Sequence, residues 1–301
     1  MPTNLLVVQF THPGKEPIIT KAERNIGIKS WNQGTHARKF LKAKGQIVTP
    51  QGLSPKQKLL FWGEWEPTSK IQPVNNYVGN NDQPKWVHIP FLPKKKSQLN
   101  PGTNAGTCLS AQCVINSSLQ NTDPFVFGSA FYYSLCRQNH FTRLRTLARG
   151  SIILFGSPIM PKNPKGYFAL DTVFVVDDYK VYDFASPLKS LKGFIPKDYP
   201  KIMGFSHWKG HMQLVCYKGA TVNNPVNGMY SFVPCKPCNG SVTGFPRIKL
   251  TNSNLQGVIS NNLTSSLKYT VSSLTQNKQI WDTVRQLVKN GGLYEGVNFD
   301  Y

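Results

Sequence analysis

Acidic residues are scarce in this chain: 14 Asp and Glu stand against 35 Lys and Arg in 301 residues, a formal net charge of +21. An excess of this size disfavours the compact state by self-repulsion unless some surface faces an anion. Long apolar runs are missing as well. No segment approaches the ~18 apolar residues that span a bilayer. The sequence has neither a basic amphipathic helix nor a lipid anchor, so no membrane partner is expected. The opening MPTNLLVVQF carries one short apolar run, Leu5 to Val8, with no basic segment before it. It reads as a first β-strand, not a signal peptide. Six cysteines are too few for a disulfide scaffold at this length, which points to a reducing, cytoplasmic setting.

Familiar catalytic loops are absent too. There is no Gly-x-x-x-x-Gly-Lys-Ser/Thr phosphate loop, no Gly-x-Gly-x-x-Gly dinucleotide turn and no Gly-x-Ser-x-Gly elbow. Pro234-Cys235-Lys236-Pro237-Cys238 supplies half of the zinc-deaminase pattern, but no His-x-Glu occurs to complete it. Cys235 and Cys238 form a lone Cys-x-x-Cys, and zinc there would need two further ligands, for which Cys108 and Cys113 are spaced suitably. No cofactor and no metal ligand set is expected.

What is present indicates a folded protein: 40% of residues are hydrophobic and 12% aromatic. Strand-like runs rich in β-branched and aromatic residues recur at Leu5–Phe10, Lys58–Trp62, Gly150–Gly156, Asp171–Val176, Met212–Tyr217, Met229–Pro234 and Arg247–Leu250. Near the C-terminus Ile280, Val284, Leu287 and Val288 share one helical face, which Asn290-Gly291-Gly292 ends. A shorter helix is predicted from Thr142 to Gly150. Gln72–Thr107 and Thr251–Ser273 read as connectors, the second with a short hairpin. The fold class is α+β, with a mixed or mainly antiparallel sheet, a few flanking helices and long basic loops. One large domain over 1–301 is expected, with a candidate subdivision at Lys94–Gly106.

The densest chemical motif is NTDPFVFGSAFYYSLCRQ, Asn121 to Gln138. Pro124 stiffens the position of the Asp123 carboxylate, and Phe125 and Tyr132 offer flat surfaces on which an extruded base can stack. Asn121 can donate to and accept from a base edge, and Arg137 can meet a phosphate. An Asp before Pro also starts ordinary turns, and aromatic clusters usually lie in cores. In LFWGEWEP, Trp62 and Glu64 form a second ring-plus-carboxylate candidate, because a carboxylate beside tryptophan can have a raised pKa and work as an acid. WNQGTHARKF joins Trp31 and His36 to the cations Arg38 and Lys39, which suits a phosphate-contacting loop or the start of a basic helix. GFSHWKGHM offers His207 and His211, with Lys209 between them, for DNA contact or leaving-group roles. Lys94, Lys95 and Lys96 add a basic run for the DNA backbone.

NTDPFVFG, GSIILFGS, FALDTVFVV and YSFVPCKP together resemble the nucleotide-modification-associated domains of bacteria and phages, across roughly Asn121 to Pro237. That resemblance implies a DNA glycosylase excising glucosylated hydroxymethylcytosine, in antiphage defence, acting on double-stranded DNA. Asp123-Pro124-Phe125 is also similar to the Asp-Pro-aromatic part of the water-activating motif of uracil-DNA glycosylases, with Asn-Thr where those have Gly-Gln. Glycosidic cleavage passes through an oxocarbenium-like state that a carboxylate stabilises, and it needs no metal or redox cofactor. Asp123 is accordingly the first catalytic candidate and Glu64 the second. The alternative is a non-catalytic reader of modified DNA or RNA. A phosphodiester nuclease would need a carboxylate cluster that is hard to assemble from 14 acids.

Overall fold

A computed structural model describes residues 2–31, 36–77, 83–92, 121–160, 166–205, 211–260 and 267–301. The strands of the first half are β1 (Leu6–Thr11), β2 (Ile28–Lys29), β3 (Lys39–Thr49), β4 (Gly52–Leu53), β5 (Gln57–Gly63), β6 (Ser69–Pro73) and β7 (Trp86–Pro90). Those of the second are β8 (Tyr132–Tyr133), β9 (Ile152–Ile159), β10 (Tyr167–Asp183), β11 (Gln213–Gly219), β12 (Val233–Pro237), β13 (Ile248–Leu250), β14 (Leu267–Val271) and β15 (Tyr294–Val297). Among the described residues four α-helices accompany them: α1 (Lys21–Ile26), α2 (Pro187–Leu191), α3 (Tyr199–Ile202) and α4 (Leu274–Asn290). The class is α+β, and the sheets are mostly antiparallel. Among the described residues no helix is long and apolar enough to cross a membrane.

One sheet runs β14-β1-β9-β10-β11-β8, with β13 on β10. The other runs β15-β12-β5-β3-β7-β6-β2, and β15 also pairs with β3, so β3, β5, β12 and β15 close into a ring. The pairs β1–β9 and β3–β7 are parallel. All six residues of β1 are buried, because its two faces serve different cores. Leu6, Val8 and Phe10 join Phe61, Phe125 and Tyr133 on one side, while Val7 joins Phe40, Trp62 and Trp281 on the other. A strand covered on both faces reads as an unbroken apolar run, which is why LLVVQF shows no polar alternation.

Helix α4 follows its apolar stripe, and Ser273 with Gln276 forms a capping box at its start. The predicted Thr142–Gly150 helix is instead a single 3-10 turn, Thr142–Arg145. The backbone beyond it is diverted: Thr146 accepts from Thr3 and Asn4, and Ala148 donates to Asn4. Among the described residues of 251–273, where a short hairpin was expected, β14 pairs with β1 across the chain and with no local strand. Strands β7 and β14 fall inside the expected connectors Gln72–Thr107 and Thr251–Ser273. The run KFLKAKGQIVT, not among the expected strands, becomes the long strand β3 inside the second sheet, with β7 beside it. The candidate boundary at 94–106 lies outside the described residues.

One irregularity positions the functional region. Strand β10 pairs with β9 through Leu170↔Gly156 and Thr172↔Phe155, leaving Asp171 as the extra residue of a bulge. Such a bulge re-aims one side chain and breaks the ladder locally. Gly156 permits it, because a Cβ there would collide with the carbonyl oxygen of Ala169 and the ring of Phe168. Replacing Gly156 by Ala is expected to destabilise the fold by about 1–3 kcal/mol through overpacking. Urea denaturation measures this, and an unchanged midpoint would show that β10 shifts freely.

Candidate functional site

The register of β3 on β5 pairs Lys39 with Gly63 and Phe40 with Trp62. Continued past the strand ends, it sets Arg38 opposite Glu64 and His36 opposite Glu66. From the other sheet, His12 follows β1 and its amide donates to the Gly156 carbonyl, while the bulged Asp171 comes from within β10, on the far side of β9. Residues of both sheets therefore meet in one largely buried polar cluster.

Arg38 is its hub. Its Nη1 lies 2.9 Å from Glu64 Oε2 and its Nε lies 3.1 Å from Asp171 Oδ2. Arg247 reaches Asp171 Oδ1 at 3.4 Å and lies over the Trp62 ring. Lys39 donates its ammonium to the Trp65 carbonyl. Burial lowers the Lys39 pKa to about 8, against the pull of the Glu66 and Glu64 carboxylates. His36 Nδ1 stands 3.1 Å from Glu64 Oε1 and 3.4 Å from Glu66 Oε1. Burial alone would lower the His36 pKa, but the two carboxylates outweigh it and push it to about 11. His36 is also the member nearest solvent, with 23% of its side chain exposed, whereas those of Glu64 and Glu66 are at 1% and 0%.

His12 links Glu64 to a thiol: its Nδ1 is 3.8 Å from Glu64 Oε2 and its Nε2 is 3.4 Å from Cys136 Sγ. The order thiol, imidazole, carboxylate matches that of a nucleophilic triad. Burial pushes the Cys136 pKa well above its ordinary value, however, so the sulfur stays a protonated, weakly nucleophilic thiol.

No family model matches this chain, and neither a curated protein nor a solved structure matches it. The geometry alone therefore sorts the candidates. Glu64 lies at the centre of the cluster, and Thr122 ties the neighbouring motif to it by accepting from the Glu66 amide at 3.1 Å. Asn121, beside Thr122, is buried, and its Oδ1 has no hydrogen-bond partner among the described residues.

Asp123, expected as a general base, is fully enclosed. Its carboxylate accepts from the amides of Ser134, Leu135 and Cys136 at 3.1, 2.6 and 2.7 Å, which makes it the cap of that turn. Phe125 and Tyr132, expected as a stacking shelf, exchange backbone hydrogen bonds of 2.8 Å and pack on Tyr199 in the core. No ring face is left there for a base. Trp62 is likewise core, its ring N–H donating to the Phe245 carbonyl. Arg38 and Lys39 are buried and engaged with Glu64, Asp171 and Trp65, so neither reaches a DNA backbone. Arg137 is half-buried, with its guanidinium over the Phe10 ring. His211 lies far from the cluster, exposed beside Asp183. His207, Lys209, Lys94, Lys95 and Lys96 lie outside the described residues. Cys235 and Cys238 are buried free thiols that gather no third ligand among the described residues, and Cys108 and Cys113 are not described.

Sequence reasoning missed His12, Asp171 and Arg247. A signal for Asp171 existed: a carboxylate inside the apolar run FALDTVFVV must be paired if the strand is buried. Nothing local marked His12 or Arg247, whose partners lie far away in sequence.

Asp123 makes a pH prediction. Burial raises its pKa from 3.8 to about 7, with Glu64 adding to the rise and the three amides opposing it. The folded chain thus holds this proton more tightly than the unfolded chain. Its contribution to stability is full below pH 3.8 and is lost as pH rises through about 7. Urea denaturation of the native chain and Asp123→Asn across this range is expected to show a shallower decline in the variant. Parallel declines would remove Asp123 from the pH response.

Proposed function

We propose that this chain hydrolyses N-glycosyl bonds in DNA carrying a modified base, with Glu64 as the carboxylate facing the reacting sugar. The observation that carries this reading is the pairing of the buried Glu64 with His36, whose side chain, 23% exposed, opens the edge of the cluster to solvent. A carboxylate there stabilises an oxocarbenium-like centre or orients the attacking water, and an imidazole beside it donates toward the departing base. Asn121, next to the same cluster with its carbonyl oxygen unpartnered among the described residues, reads a base edge.

Charge supports the polyanion partner. Among the described residues five acids are buried (Glu23, Glu64, Glu66, Asp123 and Asp171) and only four bases, Lys29, Arg38, Lys39 and Arg247. Among the described residues the other lysines and arginines are not buried, and in a chain at +21 they are available to neutralise phosphates with release of counterions. The sequence resemblance supports the choice of base, glucosylated hydroxymethylcytosine, and an antiphage role.

Incubation with DNA carrying that base, followed by mild alkali, tests the reading. Strand breaks at former base positions are expected, and Glu64→Gln, checked for folding by its melting temperature, should lower the rate by about 10²–10⁴-fold while retaining DNA binding. Binding without any breaks would mark a non-catalytic reader instead.

A further inference from the structure

We propose that His36, Glu64 and Glu66 form a binding site for one divalent first-row transition-metal ion, of the zinc or manganese kind. The expectation of no metal ligand is revised accordingly. One ligand atom from each side chain lies within 4.8 Å of the other two, the one such group of three among the described residues.

Distance and direction both favour an ion over a plain ion pair. Ligands on an ion with bonds of about 2.1 Å stand about 3.0 Å apart at right angles and about 3.4 Å apart in a tetrahedron. His36 Nδ1 is 3.1 Å from Glu64 Oε1 and 3.4 Å from Glu66 Oε1. At such distances an imidazole N–H normally points straight at its oxygen. Here it does not: His36 Nδ1 and Glu64 Oε1 both lack a hydrogen-bond partner among the described residues. A nitrogen this close to two carboxylate oxygens, without a well-aligned hydrogen bond to either, leaves the space between the three groups for a shared cation.

The surroundings are those of an oriented ligand set. Arg38 occupies the other oxygen of Glu64, Oε2, at 2.9 Å, which turns Oε1 toward His36. Thr122 fixes the Glu66 backbone at 3.1 Å. With side-chain exposures of 1% and 0%, both glutamates are shielded from water, and the Oε1 of Glu64, which accepts no hydrogen bond among the described residues, carries at that depth a desolvation penalty that an ion removes. The donor set of one imidazole and two carboxylates suits zinc, manganese or ferrous iron better than copper(I) or an iron–sulfur cluster. The partly exposed His36 side provides the entry path.

The site stands on these side chains whether or not DNA is the substrate; with Oε2 on Arg38 and Oε1 on an ion, Glu64 would serve the sugar as an ion ligand and not by direct contact. The full chain, stripped with a chelator and desalted, is titrated with zinc chloride and separately with manganese chloride by calorimetry, and bound ion is counted by elemental mass spectrometry. One ion per chain is expected for at least one metal. His36→Ala and Glu66→Gln should each weaken binding at least about tenfold, with folding checked by circular dichroism. Should Glu66→Gln fail to fold, the partly exposed His36→Ala carries the comparison. Cobalt substitution should give visible bands without a sulfur charge-transfer band. Absence of any bound ion, or binding unchanged in His36→Ala and abolished in Cys235→Ser/Cys238→Ser, overturns the proposal. A bound ion without abasic sites overturns the glycosidic reading alone, and abasic sites without a bound ion overturn this site alone.

Discussion

The guanidinium of Arg38 ties the two sheets of this protein together. It sits at the start of β3, grips Glu64 from the end of β5, and reaches across to Asp171 in β10 of the other sheet. Arginine suits this position because its planar fork meets two carboxylates at once and stays charged when buried. Arg247 supplies the second cation on Asp171 and covers the Trp62 ring, so the chain of charges is packed as well as paired. Removing one partner from such a buried set typically costs about 3–5 kcal/mol, since the charge left behind is uncompensated. The bulge at Asp171 and the register of β3 on β5 both serve this contact.

Burying carboxylates also shapes the outside of the molecule. Glu64, Glu66 and Asp171 would repel a phosphate backbone if they faced it alone, but Arg38, Lys39 and Arg247 accompany them into the interior. Three acids and three bases balance locally. A basic exterior and an internal carboxylate site can therefore coexist. The fully enclosed Asp123 plays a different part: it holds the Ser134–Cys136 turn by three amides and thereby fixes Cys136 beside His12.

Much of the fold was legible in the chain. The apolar runs at β1, β9, β10 and β11 and the stripe of α4 are local patterns whose burial leaves a direct trace in residue order. Strand β3 was hidden because Lys42, Lys44 and Gly45 lower its strand signal. Only the facing Phe299 ring, which lies against Gly45, explains why a glycine is needed there. Within the site, Glu64 and His36 stood out as rare residues in aromatic and basic settings. Asp123, Phe125 and Tyr132 stood out for the same reason, and composition cannot separate a carboxylate facing a substrate from one capping a turn.

The sequence by itself determined the charge excess, the α+β class, the long C-terminal helix and a short set of carboxylates worth considering. Those properties depend on composition and on periodicity over a few neighbouring residues. Tertiary structure alone decided that Arg38 and Lys39 turn inward, that Phe125 and Tyr132 are core, and that His12, His36, Glu64, Glu66 and Asp171 meet. Each of those outcomes depends on strand register and sheet packing between segments far apart in the chain. A shift of one residue would turn every side chain of a strand to its opposite face.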